Sequence, residues 1–450
     1  MLAFMGFLMV FATIYLLLKG RSNPITVMII VPVITALLVG TNFEQLGDYV
    51  GTGIETVMGN AVLFIFSIIF FGVMQDLGVF DPMVKWLLKV AGNSVIAITI
   101  VTGIIGIIAH IDGATATTVL ITIPAMYPIY KKLGIKTEVL LCLTTASMGV
   151  MNLLPWGGPV ARVASVIGAD ANDLWLTLIP VQLFGIVLII GLAVWLGIIE
   201  NRRLEAISEN PSVSTSFIEE TAYSSTNISS NTTEDNAESE LKNEHTKRLP
   251  FNAVWTLLVI GTLIWNQMPA YLVFMIGLSV TFIINFPSIK EQNNIFNKHA
   301  GSALMISATM LAAGVMVGIM EGTGMIEAMA AVLTSIVPDI LGRFTHVIFG
   351  IFALPMGLMV STDAYFFGFM PPILEVGAQF GVAPINTALA MLVGKNLSLM
   401  ISPLVPATFL ALGLVDDIDY KSHLKFSLKY LWIASMLLLI FAFGVGIIQL

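Results

Sequence analysis

The chain has 450 residues, of which 57% are hydrophobic and 11% charged, whereas a soluble domain carries about 25% charge. Repeated apolar runs of roughly 20 residues, enough to cross a hydrocarbon core, exclude a soluble globular protein and indicate an all-α polytopic membrane protein. The formal net charge of -8 falls mostly in loops and one central polar segment, so it identifies no partner beyond the lipid bilayer, and no nucleic-acid partner is expected.

The first apolar run, 1–18, lacks a basic n-region and a small-residue cleavage site, so it is read as a retained helix and not a signal peptide. Further spans are expected at 24–40, 59–80, 137–169 and 174–199, then at 251–266, 270–285, 301–320, 384–414 and 428–449. Two other apolar stretches, 94–131 and 344–380, read as re-entrant hairpins with tips at 112–115 and 361–364. Amphipathic stretches at 81–93 and 321–343 precede them and are expected along the interface. Cys142, the single cysteine, excludes an intrachain disulfide and reads as a packing residue.

Residues 200–250 are rich in Ser, Thr, Asn and Glu, too polar to bury a core, and are expected as a disordered cytoplasmic linker between a first repeat, 1–199, and a second, 251–450. Basic residues near helix ends mark the cytoplasmic side: Lys19, Arg21, Lys85, Lys89, Lys131, Lys132, Lys136, Arg202, Arg203, Lys242, Lys247 and Arg248. Glu44, Asp48, Glu55, Asp170 and Asp173 then fall outside. On this assignment the sequons at Asn227 and Asn231 carry no glycan.

The halves match in order. Gly72-Val73-Met74 corresponds to Gly314-Val315-Met316, Gly78 to Gly324, Pro124 to Pro371, Gly134 to Gly381, and Asn152 to Asn396. Five spans per half is odd, so the second copy starts on the opposite side and the repeats are inverted. Each has about five spans, a re-entrant hairpin and a broken helix. Paired Gly/Pro-interrupted segments point to a transporter's binding site, because broken backbone finds no hydrogen bonds in lipid.

Ionisable residues inside a membrane are functional candidates, and His110, Asp112, Arg162, Asp363 and Lys395 qualify; Asp76 and Glu321 sit nearer the interfaces. Asp112 and Asp363, at the two tips, either carry a proton or cation or cap the following helix. Arg162 either clamps an anionic substrate or pairs with Asp112 or another acid. Lys395 either holds a carboxylate or pairs with Asp363. His110 is a relay or a hydrogen-bonded packing residue. Gly157 and Gly158 allow tight turns, and the methionines of the second half read as packing. No P-loop, HExxH or GxSxG is present, which argues against primary active transport and an intramembrane hydrolase. The driving force is then an ion gradient or the substrate's own gradient. An embedded enzyme acting on a polar headgroup is the alternative of another class.

These residues resemble the citrate–metal/proton symporter family of the ion transporter superfamily, distantly related to the divalent anion/sodium symporters. The resemblance rests on Leu77-Gly78-Val79-Phe80-Asp81-Pro82-Met83, Asp112-Gly113, the run from Asn152 through Pro155-Trp156-Gly157-Gly158-Pro159 to Arg162, and Thr362-Asp363-Ala364-Tyr365-Phe366-Phe367-Gly368. It covers the chain except the linker. It implies that tips and breaks meet around the substrate: Asp112, Gly113 and Thr115; Asn152, Gly157, Gly158 and Arg162; Ser361, Thr362 and Asp363; Asn396 and Ser402. The tips hold aspartates where the sodium-coupled relatives use Ser-Asn-Thr, which fits proton coupling through Asp112 and Asp363. The implied function is citrate import by proton symport, as a complex with a divalent or ferric metal ion. That metal is carried by the substrate, with none held directly by the protein and no permanent cofactor. The alternative is another organic anion, a dicarboxylate or gluconate, with sodium coupling as an option. A homodimer in a bacterial plasma membrane is expected.

Overall fold

A computed structural model describes residues 1–19, 22–208 and 236–449. Arg21, both sequons and the middle of the expected linker, 209–235, lie outside the described residues. The described chain is helical, with no strand. Its first half runs α1 Leu2–Lys19, α2 Pro24–Leu38, α3 Phe43–Asp76, α4 Asp81–Ala91, α5 Val95–Ala109, α6 Thr115–Leu133, α7 Thr137–Met151, α8 Gly158–Val166 and α9 Ala171–Ser208. The second half repeats this order: α10 Asn236–Trp265, α11 Ala270–Asn285, α12 Ile289–Gly322, α13 Met325–Ile336, α14 Thr345–Met359, α15 Met370–Gln379, α16 Pro384–Lys395, α17 Pro406–Gly413 and α18 Tyr420–Gly444. Among the described residues, six helices are long and apolar enough to cross a membrane.

The hairpins and breaks fall where the sequence places them. Helices α5 and α6 form the first hairpin; α14, a π-helical turn Ala364–Phe369 and α15 form the second. The expected span 137–169 divides into α7 and α8, and 384–414 into α16, a 3₁₀ turn Asn396–Ile401 and α17. The amphipathic stretches become α4 and α13.

Several helix starts differ from expectation. The spans expected from 59 and 301 begin instead at Phe43 and Ile289. Their polar first turns look like loop, but capping makes them helix: Asn42 and Gln45 form a reciprocal capping box, and Ser288 accepts the Glu291 N–H, satisfying otherwise orphaned donors. Likewise α18 starts at Tyr420 rather than 428, capped by Asp419 through the Ser422 N–H. Helix α9 continues to Ser208, past 199.

Helices α3 and α12, each 34 residues long, cross antiparallel through the centre. Tyr49 meets Gly318 and Gly322 at one end; Asp76 meets Lys298 and His299, both at 2.8 Å, at the other. One turn on from Tyr49, a Cβ added at Gly53 would lie 2.0 Å from the Gly314 carbonyl oxygen. Small residues let membrane helices approach backbone to backbone. Gly53→Val is therefore expected to push the pair apart and lower stability by about 1–3 kcal/mol, read as an earlier unfolding transition in detergent.

The base of the first hairpin is tied to the loop before α18. Lys131 pairs with Asp416 at 3.0 Å and Asp417 at 3.5 Å, Thr137 donates to Asp417, and the Tyr127 hydroxyl donates to Asp416. The bonds from Tyr127, then Lys131, hold the Asp416 carboxyl below the usual carboxylate range. Asp416 is exposed, so water screens the pair and it adds little stability.

Candidate functional site

The first tip is shaped by backbone demands. Helix α5 ends at Ala109, and the chain turns through Gly113 at φ +73°. A Cβ there would sit 3.0 Å from the Trp156 carbonyl oxygen, so glycine lets the tip lie against the first break. The Trp156 indole N–H donates to the Ile111 carbonyl at 2.6 Å, joining tip to break. Trp156 itself is wedged among Phe71, Phe274 and Trp175, with ring centroids 4.7, 5.2 and 6.2 Å away.

Asp112 closes this turn: its Oδ1 accepts the Ala114 N–H at 2.8 Å. His110 lies behind it, with Nδ1 2.6 Å from the Thr118 hydroxyl and a buried Nε2 that makes no well-formed hydrogen bond among the described residues.

At the second tip, capping falls to Ser361, whose Oγ accepts the Ala364 N–H at 3.3 Å. Asp363 is thereby free for another role. It accepts from Arg162 Nε at 2.8 Å, while Arg162 Nη1 donates to the Gly158 carbonyl at 2.9 Å. Of the acids open to Arg162, the structure selects Asp363 and not Asp112. Lys395 does not take Asp363. Its buried ammonium donates to the Thr362 hydroxyl at 3.2 Å and lies over the rings of Tyr365 and Phe366, 5.4 and 5.1 Å from their centroids.

A cavity of about 310 Å³ opens where these pieces meet. Gly113 and Thr115 from the first tip, Asn152, Gly158 and Arg162 from the first break, and Thr362 from the second tip line it. Arg162 brings a cation to the wall. At the breaks, buried Asn152 Nδ2 and both amide atoms of Asn396 make no well-formed hydrogen bond among the described residues, Asn152 having only a weak contact with His110. Such groups are costly unless something bonds them.

Not every expected residue reaches this cavity. Gly157 is the N-cap of α8, and Ser402 turns the second break by accepting the Leu404 N–H. Asn396, Ser361 and Asp363 do not line it, and Asp363 touches a lining residue, Arg162. Asp112 faces elsewhere, into a second cavity of about 490 Å³ shared with Asp76, Asp81 and Lys85. Ser302 and Ile306 of α12, Phe64 and Ile68 of α3, and Leu399 and Val405 of the second break also line the first cavity. Sequence reasoning missed them, because nothing distinguishes Ser302 from ordinary helix packing. Among the described residues no group of three His, Cys, Asp or Glu side chains could hold a metal ion.

The comparisons with known proteins bear on this arrangement. The model of the family described as Citrate transporter matches residues 2–394. The chain is 33% identical over 449 residues to a Bacillus subtilis (strain 168) protein named Citrate transporter, covering all of both chains. It is 32% identical over 451 residues to that organism's Mg(2+)/citrate complex secondary transporter, again over the whole of both. Among solved structures, the Alcanivorax borkumensis YdaH transporter, whose crystal structure is described as having an unusual topology, aligns with a TM-score of 0.54 at 16% identity. That alignment covers 88% of this chain and 89% of the other, and it shows a shared fold. Together with a helical architecture that holds several membrane-length apolar helices, these matches exclude the enzyme reading: this chain is a multi-pass membrane transporter and belongs to the citrate transporter family.

Proposed function

We propose that this protein imports citrate across a bacterial plasma membrane by proton symport, taking it as a complex with a divalent or ferric metal ion. The observation that carries the reading is Arg162. It is held by Asp363 and Gly158 at the wall of a cavity built from both tips and both breaks. A guanidinium fixed in this way matches a carboxylate geometrically as well as electrically. The Asn152 amide, which lines the same cavity, supplies further polar capacity. Chelation has a physical motive, since the metal cancels much of citrate's charge before it enters a low-dielectric site. The metal is cargo held by citrate's own carboxylates.

Asp112 is the proposed proton carrier, facing the cavity shared with Asp76 and Lys85. Asp363 serves as the second proton-linked carboxylate, coupled to the substrate through Arg162. The halves act as inverted repeats about this centre, within a homodimer. The test is uptake of labelled citrate into proteoliposomes under an imposed proton gradient, with metal added or chelated. Uptake indifferent to the proton gradient, or driven by sodium, overturns the coupling. Uptake unchanged by chelation overturns the metal complex, and preference for a dicarboxylate or gluconate replaces citrate.

The sidedness of the cavities follows from the basic-residue pattern and is tested separately. In a Cys142→Ser background, single cysteines at 48 and 173 are expected to react with a membrane-impermeant thiol reagent on intact cells. Those at 131 and at 225, the latter outside the described residues, are expected to react only after lysis. Labelling at 225 in intact cells inverts the topology. External labelling at 131 turns the first hairpin into a true span.

A further inference from the structure

The two hairpin bases are built alike but completed differently. At the first, the turn before α7 passes through Gly134 at φ +67°, and Lys136 is the N-cap. The Lys136 N–H, an orphan donor at a helix start, gives its hydrogen bond to Glu200 Oε2 at 3.1 Å. That buried carboxylate from α9 is fixed by Arg203 at 2.7 Å, and Arg203 also bonds the Gly134 carbonyl at 2.5 Å. The chain's own carboxylate thus occupies the positive end of α7, where the helix dipole favours an anion.

At the second base the carboxylate is missing. The turn before α16 passes through Gly381 at φ +83°, with Ala383 as N-cap. The last residues after α18, which ends at Gly444, bring Gln449, a neutral amide, to this base instead of a carboxylate. A cavity of about 380 Å³ stands in place of the contact, lined by Arg343, His346, Ala383, Asn386 and Gln449. The Ala383 N–H has no hydrogen-bond partner among the described residues. His346, in the first turn of α14, is 1% exposed, and neither ring nitrogen makes a well-formed hydrogen bond among them, the Gln449 backbone being its one weak partner. Arg343 is exposed, and among the described residues no ion pair is recorded for its guanidinium. Two helix starts, an arginine and a buried histidine without a well-formed hydrogen bond converge on one space, and no acidic side chain lines it.

We propose that this cavity is a binding site for a small oxyanion group, a carboxylate or a phosphate, seated where Glu200 sits in the first half. The donors would be the Ala383 N–H, His346 and Arg343. The anion's source is either a soluble ion or the phosphate of a lipid headgroup, because the base of a hairpin lies at the membrane surface. The inference is independent of the transport reading, since the cavity is separate from the one that Arg162 lines.

Hydrogen exchange of the full-length protein in a phosphate-free sugar detergent tests it at the site itself. The probes are inorganic phosphate, with chloride at matched ionic strength as control, and short-chain phosphatidylglycerol. Peptides covering 382–386 and 344–348 are expected to exchange about tenfold more slowly at ten times the anion's Kd. Slowing by phosphate assigns a soluble anion, and slowing by phosphatidylglycerol alone assigns a lipid. Arg343→Gln, at an exposed position, is expected to weaken the anion by about tenfold or more, one charge-assisted hydrogen bond. Gln449→Glu is expected to supply the missing carboxylate, so that these peptides are protected without added anion and stop responding to it. No slowing by either probe overturns the site. So does a full response in Arg343→Gln or in Gln449→Glu.

Discussion

Arg162→Lys in reconstituted protein is expected to raise the half-saturating citrate concentration by roughly tenfold or more, although the charge is kept. Arg162 uses a planar fork: Nε is committed to Asp363 and Nη1 to the Gly158 carbonyl, which sets the direction of what remains. A lysine ammonium is a point charge on a flexible stem and cannot hold both anchors while facing the cavity. Loss of one charged hydrogen bond is worth about 1.5–3 kcal/mol, and 1.4 kcal/mol is about tenfold in affinity. The measurement is initial uptake against citrate concentration, with the thermal unfolding midpoint of the same preparation. A purely structural Arg162 predicts a lower midpoint with unchanged half-saturation, and that result removes it from the binding site.

Asp112→Asn is expected to abolish proton-driven accumulation while citrate exchange across the membrane continues. Asparagine keeps the acceptor that closes the tip on the Ala114 N–H, so the fold of the hairpin is preserved. Its amide cannot take up and release a proton, so substrate flux is no longer tied to proton flux. In the wild type, raising external pH through the pKa of the carrier depresses uptake, because loading requires the protonated form; the Asn variant is expected to lose that dependence. Asp363→Asn differs, since it strands Arg162 in a partly buried position without its counter-charge. It is expected to lose affinity and stability together, as breaking one side of a buried pair does. Accumulation at the wild-type level in both Asn variants rules out these carboxylates as the proton carriers.

Much of the architecture is legible in the residues. A glycine or proline in a long apolar run announces a break, because lipid cannot satisfy the freed backbone groups. Joined to a polar residue it locates the tip at Asp112-Gly113 and the break between Asn152 and Gly157; the second tip is marked by Ser361 to Asp363 alone, and Pro124 and Pro355 stay inside helices. Helix starts are less legible. The polar turns at Phe43 and Ile289 read as loop until the caps at Asn42 and Ser288 are taken into account.

By itself, then, the sequence determined the membrane class, the duplicated order of elements and the residues able to carry chemistry, because these depend on composition and local backbone preference. Only the tertiary structure decided which of them act together. Arg162 and Asp363 are 201 residues apart, and nothing in either segment's periodicity chooses Asp363 over Asp112. The docking of α8 against the second tip makes that choice. Asp112 and Gly113 are neighbours in sequence yet line different cavities, because a tight turn sends successive residues in different directions. The partner of a buried charge is settled by long-range packing, which short-range sequence preference does not encode.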